Sequence, residues 1–393
     1  MAPTRSLAAV TTLLIVVLGA SAHAEVTSDE IGKRLQRIAA NSGAQLTFDR
    51  IEGSGAAYRV VGAKASSQGV EGSVPIGDIA LDDVTEANGG DYRVGRMSLA
   101  SWKREDMGAV VSMSDLTLEG LTLAGEGSAD PFAGIPIYDR GNIGRLTMAI
   151  DGKTLITLTN TGSTTQRGPS GRDVTYEGRA ERISGDLTAL QMPTVVAIAE
   201  PLGLTTFEGK MLSRGAWSLD TGKMSVETME IDLDRQGRLA MNMELGGLTQ
   251  DFMQQMEKFT STASAASGEQ QQAAQIEGMK LLGQMTLAHA ALRYDDASLA
   301  GRALDMLAAK QGAKRSDLPG LAQFTLPFLL SRYLPQEAVS QITGEVATFL
   351  ADPKSLEIAV RPAEPLPVMA LGMAYFSPKE LVGSLGLKVT ANR

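Results

Sequence analysis

Between residues 45 and 249, short runs of alternating apolar and polar residues are cut by Gly, Asn and Asp, and this texture admits few folds. A period of two puts every apolar side chain of a run on one face of an extended strand. The plainest case is a pair of runs around a turn. Ile231 and Leu233 alternate with Glu230, Asp232 and Asp234; Leu239, Met241, Met243 and Leu245 alternate with Ala240, Asn242 and Glu244; residues 234–237 turn between them. Asp151-Gly152, between runs 146–150 and 154–159, is a hairpin signal of the same kind. One wet face and one dry face indicate antiparallel strands rather than a doubly wound parallel sheet, whose strands are apolar on both sides. The strand–turn–strand unit recurs without a fixed period.

The flanks read differently. Thr27 and Glu30 form a capping box ahead of Ile31, Leu35 and Ile38 at helical spacing, and Asn41 to Gly43 stop that helix. A short helix over 194–200 interrupts the strands. Beyond Thr249, Phe252, Met256 and Phe259 have helical spacing, and 261–274 is a Ser/Ala/Gln stretch expected as linker or frayed helix. Residues 286–294 read as a strand and 296–311 as a helix with Asp296 at its N-cap and Gly312 at its end. Two further helices are expected over 321–334 and 335–350, the second with Pro335 in its first turn. Strands over 355–361 and 381–390 close the chain. The expected fold is therefore α+β: a large twisted antiparallel β-sheet (meander) followed by a mixed helical C-terminal region. The expected layout is 1–24 signal peptide, 25–44 N-terminal helix, 45–249 sheet, 250–283 helix and linker, and 284–393 mixed α/β. A chain of 393 residues is long for one ordinary core, so two domains or one elongated sheet is the expectation.

Residues 1–24 have the three parts of a secretory signal: Arg5, an apolar run over 7–19, and Ala22-His23-Ala24 ahead of polar residues. At about 13 residues the run is short of the roughly 20 that cross a bilayer, so cleavage after Ala24 and a periplasmic location are expected. No second segment has the length and flanks of a membrane span: 321–334 is apolar but holds Pro327 and Arg332. The chain carries 36 basic and 45 acidic residues, a net charge of −9. That balance argues against nucleic acid, which needs Lys and Arg on phosphates, and gives no long-range pull toward anionic lipid.

Composition also removes chemistries. There is no cysteine, hence no disulfide, thiolate metal site or Cys nucleophile. With His23 in the signal, only His289 is left, which excludes any site with two His ligands; it lies on the polar face of its strand. Asp151-Gly152-Lys153-Thr154 resembles the end of a phosphate loop, but Thr147 stands where the first glycine belongs. Residues 232–237 resemble the start of a calcium loop, but Met243 replaces the closing Glu. Both read as hairpin turns. The carboxylate pairs Asp82 with Asp83, Asp295 with Asp296 and Asp232 with Asp234 read as solvated turns and a helix cap, with a carboxylate-based hydrolase as the weakest alternative. No catalytic residue, metal site or cofactor is assigned.

The unusual feature is methionine, 18 in all. Met224, Met229, Met241 and Met243 share the dry side of the sheet, with Met253 and Met256 following. An unbranched, polarizable side chain suits ordinary core filling and also surfaces that accept varied apolar guests; these four are the candidate ligand-binding residues. The segment 215–226, through Trp217, Asp220, Gly222 and Met224, together with 355–362 and 378–392, resembles proteobacterial periplasmic proteins of the AsmA-like and YdgA-like kind in texture, over about 76–249 and the last 40 residues. The resemblance implies a long curved sheet with an apolar inner face and a role in envelope lipid homeostasis; the expected loss of an N-terminal anchor departs from it. The function expected is that of a non-catalytic envelope protein binding lipid or another apolar ligand on a sheet face. The alternative is an adaptor that binds an envelope protein partner through a sheet edge or its C-terminal helices.

Overall fold

The computed structural model describes residues 26–41, 43–67, 72–263, 269–372 and 378–393; the expected signal, 1–24, lies outside them. Strands β1 (Ala44–Thr47), β2 (Arg50–Ser54), β3 (Ala57–Ser67), β4 (Val74–Glu86), β5 (Tyr92–Asp106), β6 (Ala109–Leu123), β7 (Arg140–Ile150) and β8 (Lys153–Arg167) are followed by β9 (Asp173–Asp186), β10 (Thr206–Ser218), β11 (Lys223–Leu233) and β12 (Gly237–Gly246). Then come β13 (Thr286–Asp296), β14 (Ser355–Val360), β15 (Leu366–Pro367) and β16 (Lys388–Ala391). All of them belong to one 16-stranded antiparallel sheet, in which each strand from β3 to β14 pairs with its sequence neighbour and β16 adds outside β14. This is the α+β meander expected from the alternation. It differs from the expected layout in one respect: the sheet does not stop at Thr249. β13, β14 and β16 extend the ladder, because the alternation of Tyr294, Leu292 and Ala290 continues the apolar rows of β12.

The helices are α1 (Ser28–Asn41), α2 (Pro193–Ala199), α3 (Gln250–Ala263), α4 (Glu269–Gln284), α5 (Leu299–Lys310), α6 (Leu318–Leu330), α7 (Gln336–Ala351), α8 (Val368–Gly372) and α9 (Pro378–Leu385). Thr27 caps α1 as expected, its hydroxyl accepting from the Glu30 N–H at 3.3 Å. Asp296, expected at the N-cap of a helix from 296, is instead the last residue of β13, and Ser298 holds the N-cap of α5; the Asp296 carboxylate still accepts from the Ala300 N–H at 2.7 Å. Of the two readings of the Ser/Ala/Gln stretch, linker or frayed helix, its described residues take the helical one, in α3 and α4, since Ala and Gln favour the helix even where few large apolar residues hold it; residues 264–268 lie outside those described. The expected strand over 381–390 is half helix: α9 occupies its first part, Gly386 ends the helix at φ +59°, and only β16 is extended.

Hairpin turns fall where the sequence places them. Asp151 (φ 48°) and Gly152 (φ 78°) are both left-handed, the two-residue turn whose twist matches the flanking strands. Along the strands, extra residues sharpen the twist. Ala180 and Ile183 are three apart, yet they pair with Met211 and Gly209, two apart on one face of β10, so β9 carries a bulge between them. The outer face is bound by ion pairs between strands: Arg214–Glu177 at 3.1 Å, Lys210–Asp232 at 3.4 Å, Lys223–Glu244 at 2.8 Å and Arg238–Asp295 at 2.8 Å. Exposed pairs of this kind contribute about 0–1 kcal/mol each; their larger effect is to keep one face wet and the register fixed.

Candidate functional site

The dry face can be followed across the sheet, because directly paired residues of antiparallel strands point to the same side. One row runs Tyr58, Leu81, Met97, Leu118, Gly141, Ser163, Gly178, Ser213, Met229, Met241, Leu292, Ile358 and Val389. A second runs Trp102, Met113, Leu146, Leu158, Ile183, Gly209 and Leu233. Along this second row only Ile183 and Gly209 are buried; the other side chains are half-buried.

What covers the face differs from place to place. Over β3 to β6, α1 lays Ile31 and Leu35 on Tyr58, Val60, Leu81, Val94 and Leu123. It is anchored by Arg34, buried, which donates to the Leu123 carbonyl at 3.0 Å and lies 3.6 Å above the Tyr92 ring. Toward the end of the sheet where β6 and β12 finish, the loop 124–139 folds inward. Phe132 packs edge-on against Trp217 at 5.5 Å between ring centroids, and Trp217 donates to the Leu248 carbonyl at 2.8 Å. A fork of Arg167 on Asp130, at 2.8 and 2.7 Å, fixes that loop. Burial pushes the Asp130 carboxyl up, but the hydrogen bonds from Arg167 and the Phe132 N–H and the Arg167 charge outweigh it, and its pKa is held below the ordinary aspartate value. Helices α3 and α4 complete the cover, with Phe252 and Leu281 over Trp217, Met224 and Leu245. A cavity of about 790 Å³ remains between the end of α1, the loop and α3, lined by Phe132, Met253 and Met256 among others.

At the other end the dry face is uncovered. Met229 is 38% exposed, Leu239 43%, Leu292 43% and Ile358 45%, on four adjacent strands, with Met241 half-buried among them. Five large side chains at such exposure leave on the order of 400 Å² of contiguous apolar surface, within the range of the largest patch on a typical monomer, which is often functional. A shallower depression of about 440 Å³ lies nearer the first strands, around Ile76, Trp102 and Met113, with Lys103 and Arg145 at its border.

The four candidate methionines therefore divide. Met229 and Met241 are direct cross-strand partners on the open part, and Met243, opposite Val226 and Ala290, is beside them. Met224, opposite Leu245, lies beneath α3 and α4 and serves their packing. The alternation around Trp102, Leu146 and Leu158 was visible, but which side each shares with the rest of the sheet was not, because left-handed residues, Asp115 (φ 58°) in β6 and Asn160 (φ 52°) in β8, interrupt the period there; Leu292 lies on the apolar side of β13, opposite His289, as its alternation indicates. His289 pairs opposite Glu244, on the wet face. Three of the carboxylates singled out have structural partners: Asp295 receives both Arg238 and Arg293, Asp232 pairs with Lys210, and Asp296 accepts from a first-turn amide of α5. The two near-motifs are hairpins, with turns at 151–152 and 234–236 and their flanking residues in the strands. Among the described residues no group of three or more His, Asp or Glu side chains converges as a metal ion requires.

No curated protein matches this chain. A family model described as an uncharacterized protein matches residues 230–392, which include β12 to β16, α3 to α9 and with them most of the open apolar patch.

Proposed function

We propose that this is a non-catalytic protein of the bacterial envelope that holds an acyl chain or another extended apolar ligand against the open part of its sheet. The row Met229, Met241, Leu292 and Ile358 supports this reading: four apolar side chains lie abreast on neighbouring strands, and Met229, Leu292 and Ile358 stand exposed among the described residues. A rigid sheet supplies the floor, and unbranched methionines supply a surface that adapts to the guest. The secretory character of residues 1–24 and the texture resembling periplasmic sheet proteins support a periplasmic setting for this function.

Native mass spectrometry of the protein purified from bacterial envelopes tests this. Lipid-sized adducts are expected on the intact protein. The double variant Met229→Ala/Met241→Ala should lose most of the adduct while stability falls by about 2 kcal/mol or less, since both side chains are already partly in water. Ligand-free spectra from repeated preparations would reject the reading. So would a variant that unfolds readily but keeps its adduct, which would make the pair plain packing.

A further inference from the structure

Helix α6 is apolar on the side it turns to solvent. Leu321, Phe324, Thr325 and Phe328 recur at i, i+3, i+4 and i+7, one stripe of a helix. Phe324 and Phe328 are each 84% exposed, and Leu321, Leu329 and Tyr333 are exposed beside them. The Thr325 hydroxyl donates to the Leu321 carbonyl at 2.8 Å, so the stripe presents no unsatisfied polar group. Only Leu318 of this helix is buried, in a small cluster with Leu304 and Ala308 of α5.

The charge around the stripe is opposite to that of the chain. Residues 310–334 contain Lys310, Lys314, Arg315 and Arg332 against one acid, Asp317, in a protein of net charge −9. Arg315 pairs with Asp305 at 3.5 Å, while Lys310, Lys314 and Arg332 form no ion pair among the described residues. They stand before and after the apolar helix. At physiological salt the screening length is about 8 Å, so a charge held some tens of ångströms away counts for little and the local cations set the potential that a nearby surface meets.

We propose that α6 is an interfacial helix that seats this protein on an anionic bilayer, its aromatic stripe entering the headgroup–acyl boundary and its flanking cations contacting lipid phosphates. The helix has 13 residues, too few to span, and no described helix is long and apolar enough to cross a membrane; its place is in the plane of the interface. A bilayer fits better than a protein groove because cations bracket the stripe at both ends, as an anionic plane requires, and the helix itself bears no charge to set a register with one partner. This inference stands apart from the ligand proposed for the sheet.

Flotation of the purified full chain with vesicles of phosphatidylglycerol and phosphatidylethanolamine, against vesicles of phosphatidylcholine, tests it. Binding is expected to the anionic vesicles and to weaken with salt. Phe324→Ser/Phe328→Ser should weaken it at least about tenfold, and Lys314→Glu or Arg332→Glu about fivefold or more each. Both rings are solvent-exposed, so circular dichroism of the variants should stay as in the wild type. A Phe328→Trp variant should be quenched by brominated acyl chains. Three results would overturn the proposal: no preference for anionic vesicles, unchanged flotation of the double Phe variant, or a concentration-dependent dimer that the same variant abolishes, which would make the stripe a protein interface. Loss of flotation in Met229→Ala/Met241→Ala alone would reject α6 and leave the sheet reading standing.

Discussion

Phe132 and Phe328 have the same side chain in opposite surroundings, and replacing each by alanine separates burial from composition. Phe132 is 1% exposed, edge-on to Trp217, with the Arg167 guanidinium 5.2 Å from its ring centre. A buried ring of this kind removes about 200 Å² from water, which at about 25 cal/mol per Å² corresponds to roughly 5 kcal/mol. Residual compaction of the unfolded chain lowers that figure, and 3–5 kcal/mol is the expected cost of Phe132→Ala. With an unfolding entropy of about 2.1 cal/mol/K per residue over 393 residues, the melting temperature should fall by about 4–6 °C. Phe328→Ala, at 84% exposure, should change stability by no more than about 0.5 kcal/mol. Calorimetry and urea unfolding measure both. Hydrogen exchange should quicken locally in α1 and α3, which border the cavity beside Phe132. Equal shifts in the two variants would refute the claim that the loop 124–139 plugs the covered end.

Acid should loosen the same plug. The Asp130 carboxyl is held below its ordinary value by Arg167, so its contribution is complete above the unfolded aspartate pKa of about 4 and is lost as pH falls through the lower folded value; amide exchange at 124–139, corrected for the intrinsic rate, should rise as pH is lowered below about 4, and Asp130→Asn should remove that dependence. At the far edge, α7 supplies side-chain partners to β16: the Val389 N–H donates to Gln341 Oε1 at 3.3 Å and the Ala391 N–H to Glu345 Oε2 at 2.8 Å. Gln341→Ala/Glu345→Ala should cost about 1–3 kcal/mol for each amide left unpaired in a part-buried place and should promote higher oligomers by light scattering; a monomer of unchanged stability would show that the two side chains protect nothing.

Much of the sheet was legible because alternation, Gly-rich turns and hairpin spacing all act locally. The pair β11 and β12 was read from Ile231, Leu233 and the odd-numbered residues 239–245, and the structure pairs Ile231 with Leu239 and Met229 with Met241, the apolar residues of both strands on one face. The continuation into β13 and β14 was less visible, since α3 and α4 separate β12 from β13 and three helices separate β13 from β14. That long-range pairing is decided by matching rows such as Met241, Leu292 and Ile358, not by any local signal. The candidate site was half legible. Met241 and Met243 share a face by simple alternation, but Met224 and Met229, five residues apart, reach the same side only through the irregularity between Val226 and Met229, which the sequence did not announce; their exposure depends in turn on where α3, α4 and the loop 124–139 come to rest, so that Met224 is covered and Met229 is not. The stripe on α6 was hidden for a related reason: a run of Leu and Phe reads as core, and only tertiary packing tells which side of the helix finds a partner.

An open sheet has two edges and two faces, and in this protein three of the four are accounted for. The first edge is the short, broken pair β1 and β2, with α1 alongside and Gln36 donating to the Leu46 carbonyl at 3.3 Å. The last edge, β16, has its outward amides taken by Gln341 and Glu345 of α7. Exposed edges recruit further strands, and short edge strands met by helix side chains suppress that. The outer face carries the ion-pair ladder, so apolar contact there would strand charges away from water. What is left is the inner face, and on it the part around Met229, Met241, Leu292 and Ile358. A partner that bound by adding a strand would have to displace α7 or α1 first, whereas a chain-like apolar guest displaces only water. That difference, more than the number of methionines, is the physical ground for preferring a ligand on the face to an adaptor at the edge.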